Sequence, residues 1–328
     1  MSAAPLLEVS GLSTEIEVPG GSIRPVDDVS LRIDRGETVC LVGESGCGKT
    51  ILSRSLLMAL PETARITGGA VRLEGDDITT MSPGALRAVR GARVGVVPQD
   101  PMTAFDPLFR VGDQIVEAIR AHEDVSWEAA AERMIAALGD VGLPDPVRVA
   151  RALPSQLSGG MNQRALIAMA LAADPVLLLA DEPTTALDVT VQAQVLELLA
   201  HVQSERGLAV LLITHDMGVA AMVADRIVVM YAGRVVEEGP VDAVFSAPRH
   251  PYTAGLIASA RASLELDHPY RWIAGAPPDL QALPPGCPFA PRCEFAREEC
   301  AAGMPAMVEH GRGRVACVLD DEERPWLA

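Results

Sequence analysis

The sequence predicts an α/β protein built on a largely parallel sheet, with a small C-terminal segment appended to it. Three observations carry that prediction. Short apolar runs of buried-strand type, such as Val39-Cys40-Leu41-Val42, Val176-Leu177-Leu178-Leu179-Ala180 and Ala209-Val210-Leu211-Leu212-Ile213, alternate with helical patterns. That is the order expected of strands joined by crossover helices. Residues 7–42 add short strands joined by turns, and after about Phe245 the periodicity fades while Pro, Gly and Cys rise. At 328 residues the chain holds one large domain with an appendage, or two domains. An apolar fraction of 49% supplies the core, and with aromatics at only 3% Ala, Val and Leu must fill most of it.

The elements follow in chain order. Pro19-Gly20-Gly21 marks a hairpin between the first two strands. After Val42, Ile51 to Leu60 reads as a helix stopped by Pro61, and Gly68 to Leu73 and Val94 to Pro98 are further strand candidates. From Val111 to Leu138 the apolar residues Ile115, Ile119, Ala130, Met134, Ile135 and Leu138 fit an amphipathic helical region. Gln163 to Ala172 reads as another helix, leading into the continuous apolar run of buried parallel-strand type at 176–180. Val191 to Gln203 is helical, 209–213 a strand and Met217 to Ala224 a short helix. A closing hairpin turns at Tyr231-Ala232-Gly233.

Composition excludes several classes. The formal net charge of −17 argues against a broad basic surface that wraps nucleic acid. No segment approaches the ~20 consecutive apolar residues that span a bilayer. Met1-Ser2-Ala3-Ala4-Pro5 has neither the basic nor the apolar region of a secretory signal. The expectation is a cytosolic chain whose membrane role, if it has one, comes through a partner.

The strongest motif is Gly43-Glu44-Ser45-Gly46-Cys47-Gly48-Lys49-Thr50, a complete G-x-x-x-x-G-K-T loop between a strand and a helix that continues at Ile51. Glycines let such a backbone fold tightly so that its N–H groups point at phosphate oxygens, at the positive end of the following helix. Lys49 would reach the β- and γ-phosphates of a nucleoside triphosphate, and the Thr50 hydroxyl would ligate Mg²⁺. A second motif ends the strand at Leu179-Ala180-Asp181-Glu182. Asp181 would hold Mg²⁺ directly or through water, and Glu182 would orient or deprotonate an attacking water. Alone, that pair reads as an ordinary acidic strand end. Leu157-Ser158-Gly159-Gly160-Met161-Asn162-Gln163-Arg164 is a third anion-type site, a hydroxyl and glycine N–H groups leading a helix. By itself it reads as a helix N-cap.

That third motif resembles the signature sequence of ATP-binding-cassette ATPases. The resemblance implies a RecA-like P-loop ATPase core with an antiparallel β subdomain and a helical signature subdomain at about 100–165. Residues 1–245 would form the nucleotide-binding domain and 246–328 a small Cys-rich C-terminal domain. It also implies that Ser158, Gly159 and Gly160 grip the γ-phosphate of ATP bound to another subunit. Gln99, after Val96-Val97-Pro98, is similar to the Q-loop glutamine near Mg²⁺ and the attacking water. Ala186-Leu187-Asp188 resembles the D-loop at the dimer interface, and His215 the switch histidine that contacts the γ-phosphate. Two positions depart from the family. Ile16 stands where an aromatic usually stacks on adenine, with Val26 as a further apolar contact, and Asn162 stands where a basic or amide residue is common.

Gln99 to Leu108, Asp181 to Gln192 and His250-Pro251-Tyr252-Thr253 resemble the oligopeptide and dipeptide (peptide/nickel) importers within that family, with Asp106 where Asn is usual. The resemblance implies an ATPase at the cytoplasmic face of a membrane, working with two permease subunits, a second ATPase subunit (a sister chain in a heterodimer ahead of a homodimer) and an extracytoplasmic solute-binding protein. An importer of nickel or another solute, and an ABC ATPase not linked to transport, are the alternatives. Late in the chain Cys287, Cys293, Cys300 and Cys317 are separated by five, six and sixteen residues, which lacks the close C-x-x-C pairs favouring zinc. Four thiolates can hold a 4Fe–4S cluster, and some members of the importer group carry one. The cluster is therefore expected ahead of zinc, with unligated core cysteines as the third reading.

Overall fold

The computed structural model describes residues 4–185, 187–262 and 273–327. Ala186 of the D-loop resemblance and residues 1–3 of the N-terminal reading lie outside them. The described residues fall into two compact units, one drawn from 1–33, 38–79 and 214–328, the other from 34–37 and 80–213.

The first unit begins with an antiparallel sheet in which Leu7–Val18 lies between Gly21–Ile33 and Ala64–Leu73, with the short Asp76–Asp77 outside. Thr14 faces Val26 on one side and Ile66 on the other. The expected hairpin turns at Pro19-Gly20. A second set of strands carries the phosphate loop. Thr38–Val42 pairs in parallel with Arg226–Tyr231, which pairs antiparallel with Arg234–Pro240. The edge is completed by Gly313–Val315 and Val308–His310 from the C-terminal segment. Every residue of Thr38–Val42 is buried, as a run flanked by packing on both faces requires. The Asp225 carboxylate accepts from the Thr38 N–H at 2.8 Å and fixes where that strand starts.

In the second unit Val94–Val97, Leu177–Asp181 and Ala209–Thr214 form parallel strands with Leu177–Asp181 in the middle. Around them run helices Val111–His122, Trp127–Asp140, Pro146–Arg151, Gly159–Leu171 and Val189–Arg206. Side-chain caps start several of them: Ser126 accepts from Ala129 N–H, Asp145 from Arg148 N–H, Ser158 from Met161 N–H and Asp188 from Val191 N–H. Such caps satisfy N–H groups that have no partner within the helix.

Two expectations change. The helical region from Val111 to Leu138 is two helices, broken at Glu123–Ser126. Ser126 caps the second helix, and Arg120 holds the corner by donating to the Val125 carbonyl and lying 4.1 Å from the Trp127 ring. The C-terminal segment is also more regular than its composition suggests, since Pro251–Ala262 is a helix of 12 residues. Its Ala and Gly content masked the periodicity. The segment falls within the first compact unit.

The entry to that helix rests on buried polar groups. Glu237, 2% exposed, accepts the N–H groups of Arg249 and His250 at 2.7 and 2.8 Å. His250 Nδ1 accepts from the Tyr252 N–H at 3.1 Å, so the ring is held neutral. Burial, with Arg324 nearby, pushes its pKa down to about 3. The unfolded chain protonates His250 near its ordinary value of about 6.5, so below that pH the unfolded state binds the extra proton. The contribution is full above 6.5 and is lost at ~1.4 kcal/mol per pH unit as pH falls toward the folded value. Melting curves should therefore show wild type losing stability between pH 6.5 and 5 more steeply than His250→Asn. Parallel pH profiles would contradict this.

Candidate nucleotide site

The phosphate loop leaves the strand at Val42 and is fixed by backbone contacts that only glycine permits. A Cβ on Gly43 would lie 2.2 Å from the Met230 carbonyl oxygen, and one on Gly48 would lie 1.9 Å from the Pro25 carbonyl oxygen. Gly48 also has φ 110° and immediately precedes the helix Lys49–Leu56, whose first turn carries no acidic residue. Cys47 is 5% exposed and fills the space beneath the loop, its carbonyl accepting from the Gly233 N–H at 2.9 Å. Burial pushes its thiol pKa up. Ser45 and Gly46 form the exposed tip, while Thr50 and Ile51 are half-buried on the helix. Lys49, 5% exposed, donates from Nζ to the carbonyls of Gly43 at 2.6 Å and Glu44 at 3.1 Å. The helix is tied to the antiparallel sheet by Thr14 and Ser55, whose buried hydroxyls lie 2.8 Å apart.

Glu44 has partners that the sequence did not announce. Its N–H donates to the Tyr252 hydroxyl at 2.7 Å, and its carboxylate accepts both Nη atoms of Arg292 at 2.6 and 3.0 Å. No local pattern could have found them, because Arg292 is 248 residues away. Of the two residues expected near adenine, Ile16 is half-buried in mid-strand opposite Ile23 and Ala64. Val26 is fully buried, so it belongs to the core and is not available to a ligand.

In the second unit the strand Leu177–Asp181 ends with Asp181 at 9% exposure and Glu182 just beyond it. Glu182 adopts φ 47°, unusual for a side-chain-bearing residue. Its N–H donates to the Ile213 carbonyl at 2.9 Å, which holds the residue in that conformation. The Gln99 amide donates to Glu182 Oε2 at 3.1 Å and the Thr185 hydroxyl to the same oxygen at 2.8 Å. The structure thus brings together two of the residues singled out in the sequence and adds Thr185. Thr185 sits within the quoted Asp181–Gln192 run but was given no role.

The third motif opens the helix Gly159–Leu171, four residues earlier than the periodicity suggested. Ser158 and Gly159 are exposed and Gly160 is half-buried. A Cβ on Gly160 would meet Val191 Cγ1 at 2.6 Å, so the glycine lets this turn approach the helix Val189–Arg206. Asn162 is buried and donates to the Pro154 carbonyl at 2.9 Å, a structural role facing away from solvent. His215 is exposed, in the first unit, between the strand Ala209–Thr214 and the helix capped by Asp216.

The metal expectations for Cys287, Cys293, Cys300 and Cys317 find no support among the described residues. Among the described residues no group of three or more His, Cys, Asp or Glu is placed to hold a metal ion. The four thiols do line one cavity, with Phe289 and Phe295, but its volume is about 20 Å³. That is room for about one water. Burial raises the pKa of Cys287, Cys293 and Cys317, that of Cys293 to about 11. Burial thus opposes thiolate formation at those three positions, and neither zinc nor a 4Fe–4S cluster is supported by their placement.

Comparisons with known proteins agree with the nucleotide geometry. The family described as ABC transporter matches residues 26–185, and the oligopeptide/dipeptide transporter C-terminal region matches 236–300. The chain is 46% identical over 319 residues to a protein of Brucella ovis named as a peptide import ATP-binding protein, covering 94% of each. It is 44% identical over 320 residues to the dipeptide transport ATP-binding protein DppD of Bacillus subtilis, covering 97% of this chain and 95% of the relative. Among solved structures, the ATP-binding cassette MJ0796, seen as a dimer bound to ADP and Pi, aligns at TM-score 0.64 and 28% identity. That alignment spans 72% of this chain and 98% of the other. CbiO1 from Clostridium perfringens shares the fold at TM-score 0.65 and 23% identity, over 80% of this chain and 96% of the other.

The loop geometry separates two kinds of glycine. Gly48→Ala combines a backbone clash with positive-φ strain and should cost roughly 3 kcal/mol. Gly46→Ala, φ 81° with nothing within 4 Å of a new Cβ, should cost about 1 kcal/mol. Thermal melting of the two variants checks the order, and equal losses would contradict it.

Proposed function

The chain belongs to the ABC transporter family, and from that premise we propose that it is the ATP-hydrolysing subunit of an importer of dipeptides or oligopeptides. The full-length likeness to DppD carries this reading, because it takes in both the nucleotide motifs and the C-terminal region. The phosphate loop supplies the chemistry for a triphosphate. Lys49 and the N–H groups of Gly46 to Ile51 would bear on the phosphates of ATP. The hydroxyl of Thr50 and the carboxylate of Asp181 are hard oxygen donors of the kind Mg²⁺ takes. Bound Mg²⁺ would neutralise charge on the β- and γ-phosphates.

Glu182 is the proposed base that orients or deprotonates the attacking water. Its contact with Gln99 supports a role for Gln99 in sensing that carboxylate. His215 would stabilise the γ-phosphate. Ser158, Gly159 and Gly160, exposed at a capped helix start, would serve the ATP of a second ATPase subunit, a sister chain in preference to a second copy.

No helix among the described residues is long and apolar enough to cross a membrane. Transport therefore requires permease partners, and two such subunits with an extracytoplasmic solute-binding protein complete the proposed complex. Leu108 and Phe109, 81% and 56% exposed just beyond Gln99, give this chain an apolar surface on which a permease at the cytoplasmic face of the membrane would press. The comparisons give no support to nickel as the solute or to a role outside transport.

Glu182→Gln should bind MgATP with near wild-type affinity, lower turnover ~100-fold or more, and retain ATP in a closed dimer. Single-turnover hydrolysis and nucleotide-retention assays measure both properties. Near-normal hydrolysis would overturn the role assigned to Glu182.

A further inference from the structure

The C-terminal segment reaches the phosphate loop at Glu44. Glu44 is the first residue after Gly43, and its N–H and its carboxylate are both taken by that segment. Its N–H is held by Tyr252 in the helix Pro251–Ala262, and its carboxylate is gripped by the Arg292 fork. This is a built arrangement. Tyr252 is fully buried and the Arg292 side chain is 6% exposed, against 24% for Glu44.

Arg292 is itself positioned from several sides. Its Nε donates to the Ala274 carbonyl at 2.8 Å and one Nη reaches the Tyr231 hydroxyl at 3.3 Å. The Tyr231 ring meets Tyr252 edge-on at 4.6 Å and Phe289 at 5.2 Å, so the aromatic group that carries the hydroxyl is rigid. Tyr231 ends the strand paired with Thr38–Val42, the strand from which the loop emerges. Arg292 closes the turn Ala290–Arg292, with its N–H donating to the Phe289 carbonyl at 2.9 Å.

The electrostatic consequence has a definite sign. A phosphate loop must accept a polyanion, and Glu44 places a carboxylate in it. An unpaired carboxylate there would repel the triphosphate, and a free side chain would swing through the loop tip. The bidentate Arg292 pair cancels the charge and fixes its direction, while Tyr252 holds the adjoining amide. We infer that Arg292 and Tyr252 are positioning residues of the nucleotide site, through which the C-terminal segment sets the affinity of the phosphate loop for the phosphates of ATP. This rests on the ATPase reading above. A change in loop affinity that bears equally on ground and transition states falls on KM and not on kcat, and that is the pattern this role predicts.

The test is steady-state ATPase kinetics of the assembled importer carrying single and double variants. Arg292→Ala should raise KM for MgATP about tenfold with kcat within about twofold of wild type, and Arg292→Lys should fall between. Tyr252→Phe should raise KM by about threefold. Adding Glu44→Gln to Arg292→Ala should bring KM back to within about threefold of wild type, because the repelling charge is gone. That recovery is the readout a merely structural role would not give. If Arg292→Ala does not assemble, Arg292→Lys alone and with Glu44→Gln answer the same question by fluorescent-nucleotide binding. Unchanged KM in both Arg292 variants, or a loss that Glu44→Gln leaves in place, would overturn the positioning role while the ATPase reading stood. A wild-type complex without ATPase activity would overturn that reading itself.

Discussion

The site depends on a backbone-to-backbone contact. Gly43 and Gly48 bring the phosphate loop against the carbonyls of Met230 and Pro25 so closely that no side chain fits between them. Those carbonyls sit on strands held by their own pairing, Arg226–Tyr231 beside Thr38–Val42 and Gly21–Ile33 beside Leu7–Val18. The loop therefore inherits its shape from two strand systems. Its flexible-looking composition is what close packing of main chain on main chain requires.

Charge is arranged around that fixed loop. A chain with a net charge of −17 must bind a polyanion, so attraction has to be local. Lys49 lies folded along the loop, the helix Lys49–Leu56 starts without an acid in its first turn, and Arg292 cancels the one carboxylate the loop contains. In the second unit the fixed element is Glu182, the proposed base: Gln99 and Thr185 hold one carboxylate oxygen and a left-handed backbone fixes the residue. Strain of this kind persists only where surrounding bonds over-determine it, here the Glu182 N–H bond to Ile213.

The sequence showed most of this wherever function is carried by contiguous residues. The phosphate loop was exposed by its own spacing, whereas Asp181-Glu182 and Ser158-Gly159-Gly160, ordinary when read alone, were legible from their order along the chain and the family resemblance. Buried strands were legible because an uninterrupted apolar run has few other homes. The helical corner at Glu123–Ser126 was missed because apolar spacing continues across it, and Pro251–Ala262 because small residues carry little periodic signal. The cysteine cluster was legible only in part. Four thiols do share a cavity, but spacing along the chain reported neither its volume nor the placement of the sulfurs. The Tyr252 and Arg292 contacts to Glu44 were invisible for the simplest reason: they join residues more than 200 positions apart in sequence.

Coupling of nucleotide chemistry to peptide transport is the central claim, and ATP hydrolysis by the native membrane complex tests it most directly. The complex would be purified with its permease and solute-binding subunits, placed in vesicles, and assayed with and without peptides presented by the binding protein. The account predicts that di- or oligopeptides raise the hydrolysis rate and accumulate in the compartment that holds the ATP. Hydrolysis indifferent to every peptide, or stimulated only by a non-peptide solute, would contradict it.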